Sequence, residues 1–193
     1  GVLSAAGTAC DFAEGFGEGG FGAEGVAAGI ENATATGIGD AIGEFDHDSG
    51  EGAMTLPARA AQPNSENLRF FEGAEQGCLV LPRCNDCDFV IWFPREICPE
   101  CGSQDVDWFE ASGKGSVYSF TVTRRIPGSW GKATPFVLAY VELEEGPRVM
   151  TNIVDCDPEQ VTIGDSVEAV FEDATNRDGD SGPPLLRFRP VGG

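Results

Sequence analysis

Cys84-Asn85-Asp86-Cys87 and Cys98-Pro99-Glu100-Cys101-Gly102 are two Cys-x-x-Cys pairs with ten residues between them. Thiolates are soft donors that suit zinc, and a two-residue spacing lets both sulfurs of a pair reach one ion. Two pairs supply four ligands, which closes a tetrahedral site and leaves no position for water. The expected metal is therefore structural rather than catalytic. Pro99 stiffens the second turn and Gly102 lets the backbone leave it. A redox role for either pair would need a surrounding βαβ pattern, and none is present. Cys10, Cys78 and Cys156 read as buried or idle thiols, not as ligands.

Other chemistry is sparse. Gly15-Phe16-Gly17-Glu18-Gly19-Gly20 satisfies the dinucleotide-loop pattern, but no strand precedes it, no helix follows it and acidic residues flank it. His47, in Asp46-His47-Asp48, is the single histidine. It has no recognisable nucleophile context, which argues against an autonomous hydrolase or thiolase. The basic residues are few. Arg124 and Arg125 end one strand-like run, Trp130 and Lys132 lie in the loop 126–134, and Arg187 and Arg189 alternate along another run. Two readings stand for this set. Its guanidinium groups and indole ring could hold the phosphates and adenine of coenzyme A, or its charges simply balance an acidic surface.

That surface is strongly acidic: 32 Asp plus Glu oppose 12 Lys plus Arg, a formal charge of −20. Such a balance disfavours a nucleic-acid partner, which needs a cationic face to displace counterions. No apolar run approaches the roughly 20 residues that span a bilayer. Val2–Cys10 lacks the basic start and long apolar stretch of a lipoprotein signal. Asn32-Ala33-Thr34 is a chance sequon in this setting. Seven cysteines with two Cys-x-x-Cys pairs suit a reducing compartment, so a cytoplasmic location is expected.

The elements that must position the cysteines lie in the second part of the chain. Residues 1–53 hold 14 of the 27 glycines and ten acidic residues, with no Lys, Arg, Pro, Trp or Tyr. Glycine entropy and self-repulsion predict a flexible or loosely packed extension over residues 1–63, although Phe12, Phe16 and Phe21 could make local contacts. A linker following an upstream domain fits this block. Residues 64–76 read as a short helix capped by Asn64 or Ser65 and ended by Gly77, with Leu68 and Phe71 on one face. The region 64–110 is thus a helix plus zinc ribbon, and 111–193 a small barrel. Five strand-like runs build the barrel: Gly115–Ile126, Pro135–Leu143, Arg148–Val154, Ser166–Glu172 and Leu185–Arg189. Val167, Ala169 and Phe171 face one way and Glu168 and Glu172 the other; Leu186 and Phe188 oppose Arg187 and Arg189. Five short strands favour an OB-fold, with an SH3-like barrel as the rival.

Together these segments resemble one family. The run Phe70-Phe71-Glu72-Gly73, the stretch Cys78–Cys84 (CLVLPRC), Phe93-Pro94-Arg95, Cys98–Ser103, Trp108, Ser112–Val117 (SGKGSV), Pro135–Leu143 and Gly164-Asp165-Ser166-Val167 are similar to the acyl-CoA-associated zinc-ribbon/OB-fold family, long filed as a domain of unknown function. The resemblance covers roughly residues 66–190. It implies a mainly β protein with an N-terminal helix, a rubredoxin-like zinc ribbon and a five-stranded OB-fold, preceded by a Gly-rich acidic extension. It also implies an accessory role. Members pair with thiolase-fold enzymes (thiolases, sterol-carrier-type thiolases and aldolases, hydroxymethylglutaryl-CoA synthases), and some are fused to a hydratase-like domain. They help bind or channel acyl-CoA in lipid or sterol side-chain metabolism, while the catalytic residue lies in the partner. On this reading the aromatic run Phe89–Phe93 (FVIWF) faces the partner; alternatively Ile91 and Trp92 cover the ribbon's own small core. A nucleic-acid-binding zinc ribbon and a stand-alone enzyme are the rival functions.

Overall fold

A computed structural model describes residues 56–176 and 179–192. The glycine loop, His47, the sequon and Cys10 lie outside the described residues.

One helix, α1 (Leu68–Glu75), precedes seven strands. It is shorter at its start than the composition suggests. Asn64 Oδ1 accepts the N–H groups of Glu66 and Asn67 at 3.1 and 3.2 Å, which makes a turn of residues 64–67. The helix begins only after Asn67, whose side chain makes no capping bond. The C-terminus follows expectation. Gly77 has φ 79°, its N–H reaches the Ala74 carbonyl, and the Cys78 N–H reaches Gly73. That pair of bonds is the αL-terminated helix end that glycine allows without strain.

The ribbon is a two-stranded antiparallel sheet of β1 (Val80–Cys84) and β2 (Val106–Glu110). Its cysteine-bearing loops fall between the two strands. The barrel comprises β3 (Lys114–Thr123), β4 (Phe136–Leu143), β5 (Arg148–Ile153), β6 (Ser166–Thr175) and β7 (Ser181–Pro190). Its order is β3-β4-β5-β7-β6, with β6 pairing back on β3. β5 and β7 are parallel, with Ile153 opposite Phe188; every other pair is antiparallel. This is the closed, five-stranded barrel expected of an OB-fold.

The final hairpin is longer than its sequence pattern indicated. β6 runs on to Thr175 and β7 starts at Ser181, because a bulge between Glu172 and Ala174 shifts the alternation and restores pairing beyond it. A second bulge, between Val117 and Ser119, bends β3.

The main hydrophobic core joins the parts. Phe70 and Phe71 of α1, Leu81 of β1, and Val117, Val141 and Phe188 of the barrel belong to one buried cluster. The helix therefore seals the seam between ribbon and barrel by burying its aromatic face against both.

Candidate functional site

The four ribbon cysteines converge. Their sulfur atoms lie within 4.8 Å of one another. Cys84 and Cys101 Sγ are 3.5 Å apart, and Cys87 and Cys98 Sγ are 3.6 Å apart. Tetrahedral zinc–thiolate bonds of about 2.3 Å place neighbouring sulfurs about 3.8 Å apart, so the donor set fits one zinc ion. Each loop is shaped by the same backbone bonds. The Asp88 N–H donates to the Cys84 carbonyl and the Gly102 N–H to the Cys98 carbonyl. Cys84 and Cys98 are buried, and with Ile91 and Val106 they form a small second core beneath the site. Cys87 and Cys101 stand on the solvent side. Four protein sulfurs complete the coordination, so the zinc would tie two loops together without exposing a reactive position.

A polar clamp supports the first loop. The Asn85 amide donates to Asp105 Oδ1 at 2.8 Å and Asp107 Oδ2 at 3.0 Å, and its backbone N–H reaches the Asp105 carbonyl. Sequence reasoning missed this clamp and the role of Asp88. The signal for Asp88 was present: it lies four residues past Cys84, as Gly102 lies four past Cys98.

Among the described residues, Cys78 and Cys156 stand outside the four-sulfur cluster. Cys78 is buried at the base of the ribbon, beside Leu79 and Val80. Cys156 is half-buried, and burial first, then Asp155, Asp157 and Asp165, raise its pKa and keep it a thiol.

The basic residues divide into two groups. Arg124, Arg125, Trp130 and Lys132 all belong to the β3–β4 connection, which contains a short 3-10 turn (Ser129–Ala133). The Trp130 ring packs at 5.2 Å on Phe136. Arg124 is gripped by both carboxylate oxygens of Glu159 at 2.8 and 2.6 Å. Arg187 and Arg189 lie on β7, and each pairs with a carboxylate of β6.

Arg187 departs from the expectation of an outward-facing residue. It is 4% exposed. Its guanidinium donates to Glu172 Oε2 at 2.8 Å, to the Pro57 carbonyl at 3.1 Å, and to Asn152 Oδ1. The charge is satisfied inside the protein, where it ties the segment before α1 to the barrel, so no face of this guanidinium is left for a ligand phosphate. The alternation placed Arg187 on the far side of the strand correctly; that side is covered rather than open.

The aromatic run Phe89–Phe93 also splits. Val90 and Ile91 are buried, and Trp92 packs edge-on against Phe70 at 5.8 Å. These residues cover the interior. Phe89 and Phe93 keep exposed edges.

The sequence matches two adjoining family models. Residues 71–107 match "ChsH2, rubredoxin-like zinc ribbon domain" and residues 108–172 match "ChsH2, C-terminal OB-fold domain". A "DUF35 domain-containing scaffold protein" of Methanocaldococcus jannaschii is 45% identical over 120 residues, covering 61% of this chain and 84% of that protein. The "Benzoylsuccinyl-CoA thiolase subunit BbsA" of Geobacter metallireducens is 37% identical over 89 residues, or 42% of this chain and 59% of that subunit. Among solved structures, a chain of "Ltp2-ChsH2(DUF35) aldolase" superposes with a TM-score of 0.57 at 38% identity, over 67% of this chain and 98% of the other. Matched across both the zinc ribbon and the barrel, this chain belongs to the DUF35 family of zinc-ribbon/OB-fold proteins.

Proposed function

We propose that the chain is a non-catalytic accessory subunit or domain that binds a thiolase-fold enzyme and supports acyl-CoA binding or channelling in lipid or sterol side-chain metabolism. The observation that carries this reading is the likeness to the aldolase component, which spans nearly that whole chain at 38% identity. The thiolase subunit among the relatives points the same way. The site chemistry agrees: four cysteine sulfurs converge as the ligand set of a closed, structural metal site, which has no open position for substrate or water. The catalytic residue then belongs to the partner.

Within this reading the β3–β4 connection is the place for coenzyme A contacts. Arg125 and Lys132 are exposed there, next to the half-buried Trp130. Exposed cations and an indole ring match phosphate and adenine groups in kind. Arg124 and Arg189 can contribute only by exchanging their present carboxylate partners. A reducing, cytoplasmic setting suits the thiolate ligands; among the described residues no helix is long and apolar enough to cross a membrane.

The test is co-expression with a candidate thiolase-fold enzyme from the same organism, followed by co-purification, zinc analysis and acyl-CoA turnover. The expected result is a stable complex whose turnover falls in Cys98→Ala. A partner that does not associate and is fully active alone overturns the proposal.

A further inference from the structure

We infer that the partner docks on an apolar face of the barrel centred on Met150, and not on the ribbon knuckles. This rests on the accessory-subunit reading and names the surface that reading requires.

Two shallow apolar concavities meet at this residue. One, of about 160 Å³, is lined by Phe70, Phe71 and Phe93 on the helix–ribbon side and by Met150 and Leu185 on the barrel. The other, of about 240 Å³, lies on the outer surface of β3–β5 between Thr121, Leu138, Tyr140 and Met150. Strand register explains the second. Val137, Ala139 and Val141 point into the core, so Leu138 and Tyr140 point out. Tyr140 sits opposite Met150 on β5 and opposite Ser119 on β3, and Leu138 sits opposite Thr121. Met150 is 59% exposed and Tyr140 47%. No charged residue lines either concavity. In a chain with 44 charged side chains among 193 residues, a charge-free band across three strands and the ribbon seam is a depleted patch of the kind that forms interface centres.

Charge selects the occupant. A second copy would bring −20 against −20, and like-charge approach opposes association. The helix that supplies Phe70 and Phe71 also exposes Glu72 and Glu75. The complementary surface is therefore a different protein, apolar at its centre and basic at its rim. The thiolase-fold enzyme of the preceding section is that protein.

The test uses the full chain co-expressed with that enzyme. Met150→Asp and Tyr140→Asp place a carboxylate on the band at exposed positions, so zinc content and circular dichroism stay as in the parent. Ile163→Asp is the control: Ile163 is 70% exposed and lines neither concavity. Each band variant is expected to weaken the complex at least about tenfold, as loss of an interface centre does, while the control stays within about twofold. High salt is expected to slow association. If the parent complex forms and the band variants bind as tightly as the control, the docking face is elsewhere and only this inference falls. If the parent forms no complex, both readings fall. If the chain alone is a dimer that Met150→Asp makes monomeric, the occupant is a second copy and the inference is overturned.

Discussion

Asp88 and Gly102 hold equivalent positions in the two cysteine loops. Each lies four residues past the first cysteine of its pair, each N–H donates to that cysteine's carbonyl, and each has a positive φ, 59° and 78°. The match extends one residue further: Cys84 and Cys98 donate their N–H groups to the carbonyls of Phe89 and Ser103. The ribbon thus presents one loop design twice. Glycine adopts this conformation freely, whereas an ordinary side chain costs about 1 kcal/mol or more. Nothing lies within 4 Å of a Cβ added at Gly102, so the cost there is purely conformational. Gly102→Ala should lose about 1 kcal/mol of stability, and Asp88→Gly should match or exceed the parent. Urea midpoints of the zinc-loaded proteins measure both; equal destabilisation by the two changes would refute the equivalence.

Removing one ligand should empty the metal site. Structural zinc contributes about 10 kcal/mol or more of apparent binding energy in small domains, and three thiolates leave the fourth position to water. Cys98→Ala is expected to purify with far less than one zinc per chain. Hydrogen exchange should then show β1, β2 and the loops unprotected while β3–β7 remain protected. Retention of stoichiometric zinc would show that Cys98 is not a ligand.

Arg187 should matter more for stability than any exposed arginine. Its side chain is 5% exposed and that of Glu172 is 29%. Arg187→Met leaves the Glu172 carboxylate, the Asn152 amide oxygen and the Pro57 carbonyl without their donor, at a cost of about 3 kcal/mol. Arg187→Lys should recover little of this, since one ammonium cannot serve three partners in a planar fork. Arg125→Ala, at the surface, should stay within about 0.5 kcal/mol. Thermal denaturation distinguishes these outcomes; equal midpoints for the Arg187 and Arg125 variants would contradict the buried-hub account.

Asp165 gives the fold an acid-sensitive point. The Thr162 hydroxyl and N–H donate to its two carboxylate oxygens at 2.5 and 2.7 Å, and these bonds lower its pKa below the ordinary 3.8. A depressed carboxylate stabilises the fold above its unfolded pKa and loses that contribution as pH falls through the folded value. Asp165→Asn should therefore be less stable than the parent at neutral pH, with the difference shrinking as pH drops below 3.8. A difference that grows on acidification would exclude the assigned sign.

Much of this molecule is legible before any coordinates. Cysteine spacing announces the ribbon, because two knuckles impose a fixed local geometry. The barrel strands follow from alternation, as at Val137, Ala139 and Val141. What alternation cannot show is which of two faces lies open. Arg187 and Met150 illustrate the gap from opposite sides: the arginine is buried by the segment around Pro57, more than a hundred residues away, while the methionine is left uncovered. Both outcomes depend on contacts distant in sequence, which no local pattern records. The helix start was obscured for a nearer reason. Asn64 is a good cap by type, yet here its side chain closes a turn ahead of the helix.

The strand that completes the barrel is also the last of the five to be made. Phe188 meets Ile153 on β5, and β7 pairs along its length with β6. Until β7 leaves the ribosome, the edges of β5 and β6 have no partner there, and the Phe188 site in the core stands empty. The ribbon has no such wait, since all its ligands and both its strands precede Lys114. Synthesis therefore divides the chain in time as well as in space: a ribbon able to take up metal early, and a barrel that stays open until its final strand arrives.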